Sequence, residues 1–226
     1  MQLLAPSRGT SSSALAPMIA LTFTTGVVDA VGYLGLDRVF TGNMTGNVVI
    51  LGMALAGSEG LPIVGPLLAL VAFLLGALAA GRALRGATDG WTVMTTSLLT
   101  LSSGMLLVLG LVMLADADPS RAIALPVTAL LGASMGIQGA AARVVAVKDV
   151  TTVVVTSTLI SLAAESSLGR KSGGGAGRRV AAVAAIAAGA LVGAGLLRWH
   201  GGAGLLLAAV VSSAATSWGH LFCRVQ

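Results

Sequence analysis

Eight apolar segments run along this chain, at approximately residues 15–36, 39–57, 62–84, 91–115, 121–142, 150–168, 179–198 and 202–222. Each is close to the roughly 20 residues that a helix needs to cross hydrocarbon. The stretches between them are short and polar: Ser58–Pro62, Arg82–Gly90, Asp116–Arg121 and the glycine-rich, basic run Ser166–Arg179. Only 9% of the 226 residues are charged and the mean hydropathy is +0.96, whereas a soluble domain carries about a quarter charged residues. Such a chain cannot cover its own surface with polar groups. It reads as an all-α, polytopic membrane helical bundle whose first partner is the lipid bilayer. The net charge of +5 comes from loop arginines and lysines. It reports orientation and not nucleic-acid binding, because no basic surface is interleaved with aromatic residues.

Two segments are less apolar than the others. One begins with TGNMTGNVV, Thr41 to Val49, and the other is VTTVVVTSTLISLAAESSL. They lie about 110 residues apart, close to half the chain, with Thr45-Gly46-Asn47 opposite Thr156-Ser157-Thr158. A charged turn precedes each, Asp37-Arg38 or Lys148-Asp149, and before the turn comes a helix carrying Gly26 or Gly136. A short loop and two strongly apolar segments follow each. The layout is that of an internal duplication, with halves 15–115 and 121–222 behind a polar tail at 1–14 that lacks the pattern of a signal peptide.

Loop charge chooses between two topologies. If all eight segments cross and the N-terminus is inside, seven basic residues lie inside and six outside. If 39–57 and 150–168 enter and leave on one side, the division becomes ten inside and three outside, which satisfies the positive-inside rule. The favoured architecture is therefore six full spans plus two re-entrant or broken segments, in two inverted halves with both termini cytoplasmic. Eight full spans is the alternative.

Irregular backbone survives at membrane depth only where protein or a water-filled cavity satisfies it. Such breaks are where transporters bind ions and polar solutes. The functional reading is thus a solute or ion pathway built from Asn43, Thr45, Gly46 and Asn47, joined by Thr156 and Thr158. The competing reading makes Gly42 and Gly46 a small-residue packing contact, as the same spacing at Gly132/Gly136 and Gly189/Gly193 suggests. Asp29 lies inside the first span, where a carboxylate is costly unless paired, hydrated or protonated. It couples a proton or cation, pairs with Arg38 or Arg143, or hydrogen-bonds the asparagine-rich segment. Tyr33 stands one turn further on the same face. Gln138, on the matching helix of the second half, lines the same cavity, and Arg143 snorkels to the inner surface or attracts an anionic solute.

Other chemistry is sparse. His200, His220 and Cys223 have no metal-ligand spacing. No cofactor motif occurs, and no nucleophile has a recognisable base, so neither a cofactor nor an enzyme is expected. One cysteine forms no internal disulfide.

The block Thr25–Leu55, with Gly26, Asp29, Phe40 and the run Asn43–Asn47, resembles the signature region of the YoaK-like family of small bacterial membrane proteins. The stretch Asp149–Leu162 is similar to that family's second block, although Val155-Thr156-Ser157-Thr158 stands where Thr-Gly-Thr is the commoner form. The resemblance implies a bacterial inner-membrane location and no particular activity. The residues themselves suggest a small-solute or ion transporter or channel. The alternative is a non-transporting scaffold or assembly protein in which the polar segments pack helices. A six-span chain this short also raises the expectation of a homo-oligomer.

Overall fold

The structure, a computed structural model, describes residues 13–116, 120–145, 147, 155–165 and 175–224. Eight helices follow in order: α1 Leu15–Gly35, α2 Met44–Leu55, α3 Val64–Ala83, α4 Val93–Ala115, α5 Arg121–Val145, α6 Val155–Ala164, α7 Ala176–Leu197 and α8 Ala203–Phe222. Among the described residues the only β pairing is an isolated bridge between Trp91 and Arg224. Six helices are long and apolar enough to cross a membrane, and the two exceptions are α2 and α6. Both are shorter than the apolar segments that contain them. The 12 residues of α2 reach only about 18 Å at 1.5 Å per residue. Its helix starts late because Val39–Asn43 are held in non-helical conformations by the contacts described below. The start of the 150–168 segment, up to residue 154, and its end beyond 165 lie outside the described residues.

Helix directions decide between the two topologies. In eight full crossings the fourth and eighth helices would run the same way. Here α4 and α8 are antiparallel: Gly110, near the end of α4, lies on Leu206 at the start of α8, while Trp91, just ahead of α4, covers Gly219 near the end of α8. The connection from α1 to α3 shows separately that α2 does not cross. Arg38 Nη1 donates to the Gly60 carbonyl at 3.1 Å, and Gly65, at the start of α3, sits against Val39 and Asp37. Residues 36–63 therefore leave and return at one end of the bundle. Asp37 and Arg38 turn the chain back with φ of 54° and 55°, a left-handed pair that costs about 1 kcal/mol or more per residue. Since α4 and α8 are antiparallel, α5 and α7 are too, so α6 between them does not cross either. Six crossings and two short segments replace the eight-span alternative.

The centre of the bundle is a ring of α1, α8, α4 and α5, with α7 flanking α1 and α3 flanking α5; α2 lies on α3 and α6 on α7. Apolar burial drives little helix association in lipid, so close approach and interhelical hydrogen bonds matter more. Both occur. A Cβ at Gly26 would collide with the Ile186 carbonyl of α7, and one at Gly136 with the Phe73 carbonyl of α3. Buried hydroxyls bridge two other crossings, Ser102 Oγ to Ser134 Oγ at 2.8 Å and Ser212 Oγ to Thr24 Oγ1 at 3.3 Å. The Gly132/Gly136 and Gly189/Gly193 pairs are packing contacts, on Ala69 and Phe73 and on Phe23 and Val27 respectively.

Candidate functional site

After its turn at residues 37–38 the chain runs back alongside α1. Val39 N donates to Gly32 O at 3.3 Å. Three residues on, a Cβ at Gly42 would sit 2.8 Å from Thr25 Cγ2 and 3.5 Å from both Asp29 Oδ1 and Met135 Cε. Thr25 precedes the end of α1 by ten residues, about 15 Å. The N-terminus of α2 thus lies near the middle of α1, at what would be the middle of the bilayer.

A helix start at that depth exposes amide groups that lipid cannot satisfy, and Asp29 meets them. Its Oδ1 accepts from Thr41 N at 2.9 Å, Gly42 N at 2.7 Å and Asn43 N at 3.4 Å. The positive end of the helix dipole faces the same carboxylate. Of the structural roles open to Asp29, the hydrogen bond to the Thr-Gly-Asn segment is the one seen. Neither Arg38 nor Arg143 pairs with it: Arg38 is engaged at Gly60, and Arg143 is exposed in the last turn of α5.

The asparagines divide the remaining work. Asn43 is the N-cap, accepting from Gly46 N at 3.4 Å. Asn47 is fully buried; its Oδ1 accepts from Phe40 N at 2.9 Å and its Nδ2 donates to Phe40 O at 2.6 Å. One side chain thus satisfies both backbone groups of a residue that has left helical geometry. The Phe40 ring then lies over Gly46, where a Cβ would strike it, and stacks on Tyr33 with centroids 4.8 Å apart. Tyr33 therefore reaches the segment through an aromatic contact. Gly42 and Gly46 are not a helix-packing pair, because Gly42 precedes the helix and the two face different neighbours. Thr45 is exposed in the first turn of α2.

Gln138 approaches from α5. Its Nε2 donates to Leu21 O at 3.4 Å and Thr25 Oγ1 at 3.3 Å. Thr25, one turn before Asp29, thus touches both Gln138 and Gly42. Among the described residues of α6 no comparable cluster is seen. Thr156 is exposed on α6, which packs on α7. None of the hydrogen bonds of Asp29, Asn43 and Asn47 goes to Thr156 or Thr158. Gln138 is the residue of the second half that joins this cluster, while α2 and α6 pack on different helices. Residues that sequence reasoning did not assign to the pathway are Thr25, Phe40, Thr41 and Met135. Thr25 carried a signal, being four residues from Asp29 and so on its face. Met135 carried none.

Fold and site together define a polytopic α-helical membrane protein with six crossings and a half-helix anchored inside the bundle by a carboxylate. Residues 17–218 match the family described as "Protein of unknown function (DUF1275)", and the chain belongs to that family. It is 36% identical over 143 residues to the UPF0700 transmembrane protein YoaK of Bacillus subtilis strain 168, an alignment that covers 63% of this chain and 62% of that protein. No solved structure matches the chain.

Proposed function

We propose that this protein is a small-solute or ion transporter or channel of the bacterial inner membrane, with both termini cytoplasmic. The observation that carries the reading is the start of α2 midway along α1, with Asp29 on its amide groups. Half-helices that end inside a bundle are the usual construction of transport sites near the bilayer midplane.

An inverted repeat supports the same reading. Gly26 packs on Ile186 and Ala190 as Gly136 packs on Phe73 and Ala77. Ser212 bonds Thr24 as Ser102 bonds Ser134. In each comparison the central-ring residues, Gly26 and Gly136, Thr24 and Ser134, Ser102 and Ser212, are 110 positions apart. An exchange of α1 with α5 and α4 with α8 relates the two sets. By their loop positions in a six-crossing chain, ten of the thirteen basic residues belong on the side of the termini, an excess that supports a cytoplasmic side there.

A packing-only role has one observation in its favour: Asp29 and Asn47 spend their hydrogen bonds inside the chain. Thr45 separates the two readings, because its side chain is exposed and bonds nothing else. In proteoliposomes, wild-type protein is expected to conduct at least one class among alkali cations, halides, amino acids and small polyols above empty vesicles. Thr45→Val is expected to reduce that flux several-fold at an unchanged unfolding temperature. Folded protein with no flux for any class would overturn transport in favour of packing.

A further inference from the structure

We infer that the solute this pathway takes is a monovalent cation, an alkali ion or a small protonated amine, held by oxygens around Asp29, and that anions are refused. The inference rests on the transport reading and names its substrate class. Amide groups at a helix start inside a bundle ordinarily receive an anionic group. Here three of them already receive Asp29 Oδ1, so the place an anion would take is filled by the chain's own carboxylate. A helix end supplies about half a positive charge against a full negative one. Asp29 has no ion pair among the described residues, so in its ionised form it leaves about half a negative charge at membrane depth.

Two buried oxygens close by lack a hydrogen-bond partner in the fold, one on Thr41 and one on Gln138, whose amide binds Thr25 one turn before Asp29. Gln138 is 1% exposed and its Oε1 has no hydrogen-bond donor. Its Nε2 is spent on Leu21 and Thr25, which fixes the amide so that only an acceptor is left over. Thr41 is 0% exposed, and its Oγ1 faces the Asp29 carboxylate without reaching hydrogen-bonding geometry. Asp29 Oδ2 accepts from no described residue, and Asp29 itself remains partly exposed. A buried acceptor left without a donor costs about 1–3 kcal/mol, a cost that a ligand bringing positive charge or N–H groups removes. Carboxylate, hydroxyl and amide oxygens are hard donors that suit a hard cation, and a single carboxylate already partly offset by a helix end suits a monovalent one. The carboxylate and the amide oxygen, which can only accept, disfavour a chloride, phosphate or carboxylate.

Thr41→Val is the sharpest test, because it keeps the side-chain shape and deletes a hydroxyl that bonds nothing in the fold. Thermal unfolding of purified protein in detergent should rise saturably with sodium, potassium, ammonium or methylammonium chloride over N-methyl-D-glucamine chloride. The half-saturating concentration should increase at least tenfold in Thr41→Val. Gln138→Met provides the same reading from the other side of the site. An equal response in Thr41→Val, a response that follows the anion, or no response to any cation would overturn the cation assignment. In that event, vesicle flux of a neutral or anionic solute would leave the transport reading standing. A cation response lost in Thr41→Val but accompanied by no flux would overturn transport and keep the site.

Discussion

At the scale of single residues, the polar side chains at membrane depth are there because backbone groups need them. Asn47 is the clearest case. Phe40 lies outside any helix, and its N–H and C=O would each go unsatisfied in an apolar bundle; the carboxamide of Asn47 satisfies both. Asn47→Ala should therefore cost about 2–4 kcal/mol, two buried groups losing their partners. Asn47→Asp should cost nearly as much, because a carboxylate can accept from Phe40 N but cannot donate to Phe40 O. Both follow from unfolding in detergent micelles, and full stability in Asn47→Asp would show that Phe40 has another partner. The same logic alters what Asp29→Asn reports. An amide keeps one oxygen for Thr41–Asn43 but loses the charge that strengthens those bonds, so this variant weakens the hold on them as well as any coupling, and loss of activity alone would not separate the two. The sequence marked Asp29, Asn43 and Asn47 as unusual, since polar groups in an apolar run are conspicuous. Their partners were hidden, because the acceptor of three amides twelve to fourteen residues away is chosen by the turn at Asp37 and Arg38, which no periodicity reports.

At the scale of elements, the bundle relies on a few places where one helix backbone touches another. Gly26 on α7 and Gly136 on α3 are counterparts in geometry. Gly26→Ala and Gly136→Ala should each destabilise by about 1–3 kcal/mol or more, since a carbonyl rather than a flexible side chain occupies the space a methyl needs. Gly52, in the interior of α2, has nothing within 4 Å of the added methyl. Gly52→Ala should be neutral or stabilise by up to about 1 kcal/mol through helix propensity. Equal losses at Gly26 and Gly136 would strengthen the duplicated-halves reading, and a loss at only one would weigh against it. Segment positions were legible because hydropathy is a local property. Segment lengths were less so: hydropathy places α2 from residue 39, but the helix waits for its N-cap at Asn43, and Val39–Gly42 are apolar or small for reasons of packing on α1. Which glycines face a helix and which face space was not legible, because spacing alone does not distinguish Gly42 and Gly46 from Gly132 and Gly136.

At the scale of the whole molecule, the two short helices reverse the direction of everything after them, and this can be read without a transport assay. A chain with eight crossings places the α3–α4 loop and the α7–α8 loop on one face; the six-crossing arrangement places them on opposite faces. It also puts Ser58, between α2 and α3, on the same face as His200. Charge counting reached the same arrangement from sequence because the basic residues at 82, 85, 143 and 148 move inside with α2 while Arg121 moves outside. The antiparallel pairing of α4 and α8 is independent of that count. The native Cys223 is buried at 4% exposure, and Cys223→Ser provides a background with no thiol. In it, Ser58→Cys and His200→Cys should react with a membrane-impermeant maleimide in intact cells, and Thr88→Cys only after lysis. Labelling of Thr88→Cys and His200→Cys from the same side would restore eight crossings and remove the half-helix on which the transport reading depends. Opposite labelling with Thr88→Cys outside would preserve the fold and invert it, placing the termini and the basic loops outside against the charge rule. The outcome fixes which compartment the α1–α2 turn opens toward, and so the side from which a cation would reach Asp29.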